Sequence, residues 1–137
     1  MRLKVAITCD PRYYLKKKQI SETVAKALKK GKVGSGKIEI SVAVVGERKM
    51  LELARQFRKI DQAGEILTFA LEDPGETVSG TEKGFVKSPD GVLRLGDIVI
   101  SYSAVVAAAS ANNILVEDEV KLLIEHGVRH LLGIHHQ

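Results

Sequence analysis

Residues 37–59, KIEISVAVVGERKMLELARQFRK, change their period halfway. Up to Val45 apolar side chains alternate, with Ile38, Ile40, Val42 and Val44 on one face, as in a half-buried strand. After Gly46 the apolar positions Met50, Leu53, Ala54 and Phe57 recur near every 3.6 residues, the stripe of an amphipathic helix. A strand feeding a helix through one glycine implies a sheet with helices packed over it.

The same reading extends outward. RLKVAIT (residues 2–8) alternates through Leu3, Val5 and Ile7, and CDP closes it. In KKKQISETVAKALKKGK (16–32) Ile20, Val24, Ala27 and Leu28 fall at helical spacing, and the glycines of GKVGSGK stop the helix. Downstream, EILTFAL (65–71) reads as a short strand. Residues 72–94, rich in Gly, Pro and charge and containing the turn signal SPDG, read as a long loop or an exposed hairpin. DIVIS (97–101) suits a central strand. SAVVAAASANN (103–113) reads as an alanine-rich helix, with Ser103 as its N-cap and Asn112 or Asn113 as its end. VEDEVKLLIEHGVRHLLG (116–133) is a final helix, with acids in the first turn, where the helix dipole favours them, and Gly133 as its stop. The order predicts an α+β fold: one domain over residues 1–137, with a small mixed β-sheet of about four strands packed with helices.

A chain of 137 residues can bury one core. It has no run of roughly 20 apolar residues, the length of a membrane span, and its start lacks the pattern of a signal peptide. The expectation is a cytoplasmic protein without a membrane partner. The single cysteine, Cys9, has no internal disulfide partner, which suits a reducing compartment. Charge is unevenly spread: residues 2–37 hold eleven Lys or Arg against two acids, while residues 72–137 hold five bases against ten acids. The basic first third reads either as a surface for a polyanion such as RNA or as a solvated lysine-rich helix face.

All four histidines lie between His126 and His136. At 100° per residue, Val120, Ile124, Gly127 and Leu131 share the core face of the last helix. His126 and His130 stand one turn apart, at the border between that face and solvent. Such a pair can hold a metal together, and His136, beyond Gly133, is the third candidate. Three histidines with an open fourth position suit a catalytic metal that activates water, whereas a structural zinc more often has four ligands, usually including cysteines. Gly127 stands where zinc proteases carry a Glu after the first His, which argues against that class. Glu119 shares the histidine face and reads as a solvated acid.

The tail HGVRHLLGIHH, preceded by LGDIVIS and LARQFRKIDQAGEILTF, resembles the YbeY family of bacterial endoribonucleases, the rRNA maturation factors. The resemblance covers roughly residues 38–136. It implies a single-domain α+β fold and a Zn2+ ion held by His126, His130 and His136 on and beyond the C-terminal helix. It also implies cleavage of single-stranded RNA in 16S rRNA 3′-end maturation and ribosome quality control, with ribosomal RNA and the ribosome or its small subunit as partners. Arg58 matches the arginine ending the family's L-N-x-x-Y-R stretch. By itself it reads as a solvated helix-end residue; the resemblance makes it a phosphate ligand, because a guanidinium fork can meet two oxygens of a phosphorus becoming five-coordinate.

The chain departs from the family at several positions. His135 stands where the family usually carries Asp, and it could orient a neighbour, compete as a ligand or be exposed. Ala63-Gly64-Glu65 replaces Pro-Thr-Asp, and Ala70 replaces a Pro, on the strand expected to line the substrate cleft. Three imidazoles also suit Ni, Co or Cu. Two other functional classes fit the pattern: a non-enzymatic ribosome-associated RNA-binding factor with a structural metal, and a metallohydrolase acting on another substrate class.

Overall fold

The alternation of Ile38, Ile40, Val42 and Val44 demands an apolar layer on one side of a sheet, and helix stripes supply it. The computed structural model describes residues 2–31, 36–59, 64–71 and 91–133. Among these, β1 (Arg2–Cys9), α1 (Lys17–Lys30), β2 (Lys37–Val45), α2 (Glu47–Leu53), a π-helical turn (Ala54–Arg58), β3 (Ile66–Ala70), β4 (Val92–Ser101), α3 (Tyr102–Asn112) and α4 (Val116–Leu131) follow one another. The strands form one mixed sheet in the order β1-β2-β4-β3. β1, β2 and β4 run parallel, and β3 is antiparallel to β4 at the open edge. This is the α+β fold with a four-stranded sheet that the sequence pattern predicts. None of the described helices is long and apolar enough to cross a membrane.

The core lies between one face of the sheet and the helices α1 and α4. Ile20, Val24 and Leu28 of α1 and Val120, Ile124, Val128 and Leu131 of α4 pack with Ile38, Ile40 and Val42 of β2 and Ile98 and Ile100 of β4. These are the residues the two periodicities single out. Met50 and Ala54 are buried outside this cluster, and Val99, whose neighbours Ile98 and Ile100 face α1 and α4, is buried on the other side of the sheet.

The start of β4, the N-cap of α3 and the burial of Phe57 differ from the sequence expectation. β4 begins at Val92, so Val92, Leu93 and Arg94 belong to the sheet, while residues 72–90 of the expected loop or hairpin lie outside the described residues. Opposite Glu39 and Ile40 the register skips one residue, pairing Glu39 with Arg94 and Ile40 with Gly96. That bulge moves the fully buried positions from Leu95 to Ile98 and Ile100, which breaks the alternation a reader would follow. Gly96 makes the bulge possible: its φ is 140°, and a Cβ there would collide with the Phe69 carbonyl oxygen. The N-cap of α3 is Ser101, whose hydroxyl accepts from the Ala104 N–H at 3.4 Å, two residues before the expected Ser103. Asn113 ends the helix in the left-handed region (φ 56°), one of the two expected positions. The helix begun at Glu47 closes in a π turn, with the Lys59 N–H donating to the Ala54 carbonyl. Bonding to the fifth residue back spreads each turn over more residues and rotates Phe57 off the apolar stripe. Phe57 is accordingly 53% exposed and not a core residue.

Two substitutions test this account by urea denaturation. Gly96→Ala is expected to lose about 2–4 kcal/mol, from backbone strain and the collision with β3, whereas Gly64→Ala, with nothing among the described residues within 4 Å of its Cβ, is expected to change stability by less than about 1 kcal/mol. Equal effects would remove the bulge argument.

Candidate metal and phosphate site

Helix α4 is wedged between two neighbours, and its phase decides what each of them meets. On one flank Glu117, Val120, Lys121 and Ile124 line a crevice with Leu15, Lys16, Gln19, Ile20 and Thr23 from α1 and the residues before it. On the other flank His126 and His130 stand toward β3, both exposed. Their rings lie 5.2 Å apart between centroids, tilted by 33°. The lysine-rich helix α1 thus packs against the flank of α4 that does not carry the histidines. His135 and His136 lie outside the described residues, and among the described residues no group of three His, Cys, Asp or Glu side chains gathers. Two imidazoles one turn apart are a donor pair that suits Zn2+, and α4 ends at Leu131, with Gly133 at φ 78° just before the third candidate.

β3 closes the site from the side. Ser101 N–H donates to the Glu65 carbonyl and Leu71 N–H to the Leu95 carbonyl, so odd-numbered residues of this segment point their backbone groups at β4. Even-numbered residues, Thr68 among them, point theirs at the open edge. Side chains alternate as well: Ile66 and Thr68 share the face of Ile98, toward α4, while Leu67 and Phe69 face the other way. Thr68 Oγ1 lies 3.4 Å from His130 Nδ1. Arg58 reaches the open edge from the opposite layer, where its guanidinium carbon sits 4.8 Å from the centre of the Phe69 ring and Nη2 donates to the Thr68 carbonyl. Phe57 meets Phe69 edge to face, with 5.5 Å between centroids, which steadies the ring that Arg58 lies over. Arg58 and His130 therefore meet at one strand residue, with His126 one helix turn from His130.

Neither Thr68 nor Phe69 stands out in the sequence. The available signal was a hydroxyl in the Ile66–Thr68–Ala70 row, where a buried strand face would otherwise be apolar. Glu119 also differs from expectation: with 7% of its surface exposed it is buried and not solvated. It faces Glu65, at the start of β3. Burial, the Glu119 charge and a hydrogen bond shared with Glu119 hold the Glu65 carboxyl above the usual carboxylate range. A second tie, at the residue before β3, thus joins this segment to α4, in addition to Thr68 and His130.

A family model described as Endoribonuclease YbeY matches residues 8–137 of the chain. Similar proteins named Endoribonuclease YbeY include one from Roseiflexus castenholzii, 34% identical over 118 residues, covering 86% of this chain and 69% of the relative. Another, from Dehalococcoides mccartyi, is 29% identical over 119 residues, covering 86% of this chain and 74% of the relative. A third, from Halalkalibacterium halodurans, is 33% identical over 117 residues, covering 85% and 71%. The solution structure of a Thermotoga maritima protein superposes with a TM-score of 0.60 at 25% identity, covering 98% of this chain and 75% of that one.

The Glu65–Glu119 contact sets a pH dependence. Because the folded protein holds a proton on Glu65 to higher pH than the unfolded chain does, stability falls as pH rises from the ordinary glutamate range through the raised value. Melting temperature measured from about pH 5 to about pH 8 should therefore decline, and Glu65→Gln, which keeps a donor toward Glu119 without the charge, should flatten the decline and raise the melting temperature at the alkaline end. An unchanged profile in Glu65→Gln would show that Glu65 does not set this dependence.

Proposed function

The chain belongs to the YbeY family of endoribonucleases, and from that premise we propose that it cuts single-stranded RNA with Arg58 on the scissile phosphate beside a zinc ion held by His126, His130 and His136. The observation that carries this reading is the convergence of Arg58 from one layer and the His126–His130 pair from the other at the open edge of β3. RNA is the substrate that the family's activity implies. Maturation of the 16S rRNA 3′ end and quality control of ribosomes are the setting we propose for it, supported by the family resemblance of HGVRHLLGIHH.

The chemistry divides between charge and geometry. Attack on a phosphodiester builds negative charge on the non-bridging oxygens, and Arg58 offers a planar fork of N–H donors for two of them. Its place over Phe69 and against the Thr68 carbonyl limits the side-chain freedom it must give up when the phosphate arrives, so more of its attraction is available in the transition state. His126 and His130 project from successive turns of one rigid helix, which holds their spacing fixed. When bound, the metal supplies Lewis acidity toward a phosphate oxygen and lowers the pKa of water. Unstacked RNA fits an open strand edge better than a duplex does, because its backbone can bend to bring one phosphate between a guanidinium and an imidazole pair.

Cleavage of an unstructured RNA, assayed together with zinc content, tests the assignment. His126→Ala should lose both zinc and cleavage, while Arg58→Ala should keep its zinc and lose cleavage by a factor of about 100–1,000. Undiminished cleavage by both variants would remove this mechanism. Full zinc occupancy in a wild-type protein that cuts no RNA would favour a structural metal.

A further inference from the structure

Thr68 touches both halves of the site. Its carbonyl points off the open edge of β3, because the bonds of Glu65 and Leu71 to β4 fix the alternation of the strand, and there it accepts from Arg58. Its side chain points toward α4, because Thr68 pairs with Ile98, whose own side chain lies under Gly127. Its hydroxyl stands 3.4 Å from His130 Nδ1. With Nδ1–H donating to that hydroxyl, the neutral imidazole is in the tautomer that carries its lone pair on Nε2, and rotation of the ring about its χ2 is restrained. A valine would fill the same volume and supply no partner. A serine would supply the partner with less volume.

We propose that Thr68 is the positioning residue of this site: its hydroxyl fixes the tautomer and orientation of His130, while its carbonyl anchors Arg58, so one strand residue keeps the imidazole and the guanidinium in register. The proposal rests on the reading of Arg58 and the histidines as the working groups of an endoribonuclease. Its consequences nevertheless differ from those of losing either group. Removing the hydroxyl disturbs His130 alone, since the backbone carbonyl that holds Arg58 remains.

The full-length protein with Thr68→Val and Thr68→Ser tests it through three readouts. In the metal-free protein, at one fixed pH above the histidine range, the His130 Nδ1 nitrogen resonance should move in Thr68→Val and return toward its wild-type position in Thr68→Ser. Zinc affinity, measured by competition with a chromophoric chelator, should fall about tenfold or more in Thr68→Val and recover in Thr68→Ser. With unstructured RNA, Thr68→Val should lower kcat with KM within about twofold of wild type, since Arg58 keeps its carbonyl anchor. An unmoved His130 resonance, or wild-type zinc affinity in Thr68→Val, overturns the proposal. So does a loss of both properties in Thr68→Ser that matches the loss in Thr68→Val, which would mean that volume and not the hydroxyl matters. If the wild-type protein binds zinc and cuts no RNA, the endoribonuclease reading fails while the resonance and the zinc affinity still decide the role of Thr68.

Discussion

The closeness of α4 to the sheet sets the rest of the site. At Gly127 the helix backbone lies directly over Ile98 of β4 and Ile66 of β3, so close that a Cβ would come within 3.0 Å of Ile98 Cδ1 and 3.2 Å of Ile66 Cδ1. The same turn of helix carries His126 and leads to His130, and Thr68 stands two residues along β3 from Ile66. A contact of apolar groups thus determines how near the imidazoles come to the strand. Glycine costs an exposed helix up to about 1 kcal/mol relative to alanine, but here it permits a close approach that no side chain could share without moving its neighbours. His126 and His130 lie on either side of the glycine that this contact requires, so one packing contact sets how close both come to β3.

The open edge of β3 is the second element of the design. Unpaired carbonyls at a sheet edge usually invite pairing with another chain. One of them, on Thr68, is occupied by Arg58 instead. Arg58 can reach it because the helix begun at Glu47 ends in a π turn, which turns Phe57 and Arg58 away from the apolar stripe and toward Phe69. A regular α-helix would have kept Phe57 in line with Met50 and Ala54. The irregular turn therefore gives up the burial of one aromatic ring and places a cation where the two layers of the fold meet, consistent with the frequent use of π turns at functional sites.

Much of this was legible in the chain. The strand of residues 37–45 and the stripe of α4 are long and regular, so each fixes its own buried face, and the histidine pair follows from helix phase alone. Residues whose environment comes from a different element were not legible. Glu119 sits on a helix flank that periodicity marks as peripheral, and it is buried because the start of β3 covers that flank. Phe57 has the spacing of a core residue and is exposed because the helix changes its hydrogen bonding. The early start of β4 was hidden by the bulge at Gly96, which breaks the alternation that reveals strands.

Local pattern carries the type and order of the elements, most of their buried faces and the pairing of His126 with His130, because these depend on contacts within a few residues and on the fixed periods of strand and helix. It takes the tertiary fold to bring Arg58 to the edge of β3, to set Thr68 between it and His130, and to put the lysine-rich α1 on the far side of α4. Those placements depend on strand order and on which edge of the sheet is left open. Residues 58, 68 and 130 are brought together by a fold in which β4 is threaded between β2 and β3, and no local pattern in the chain carries that information.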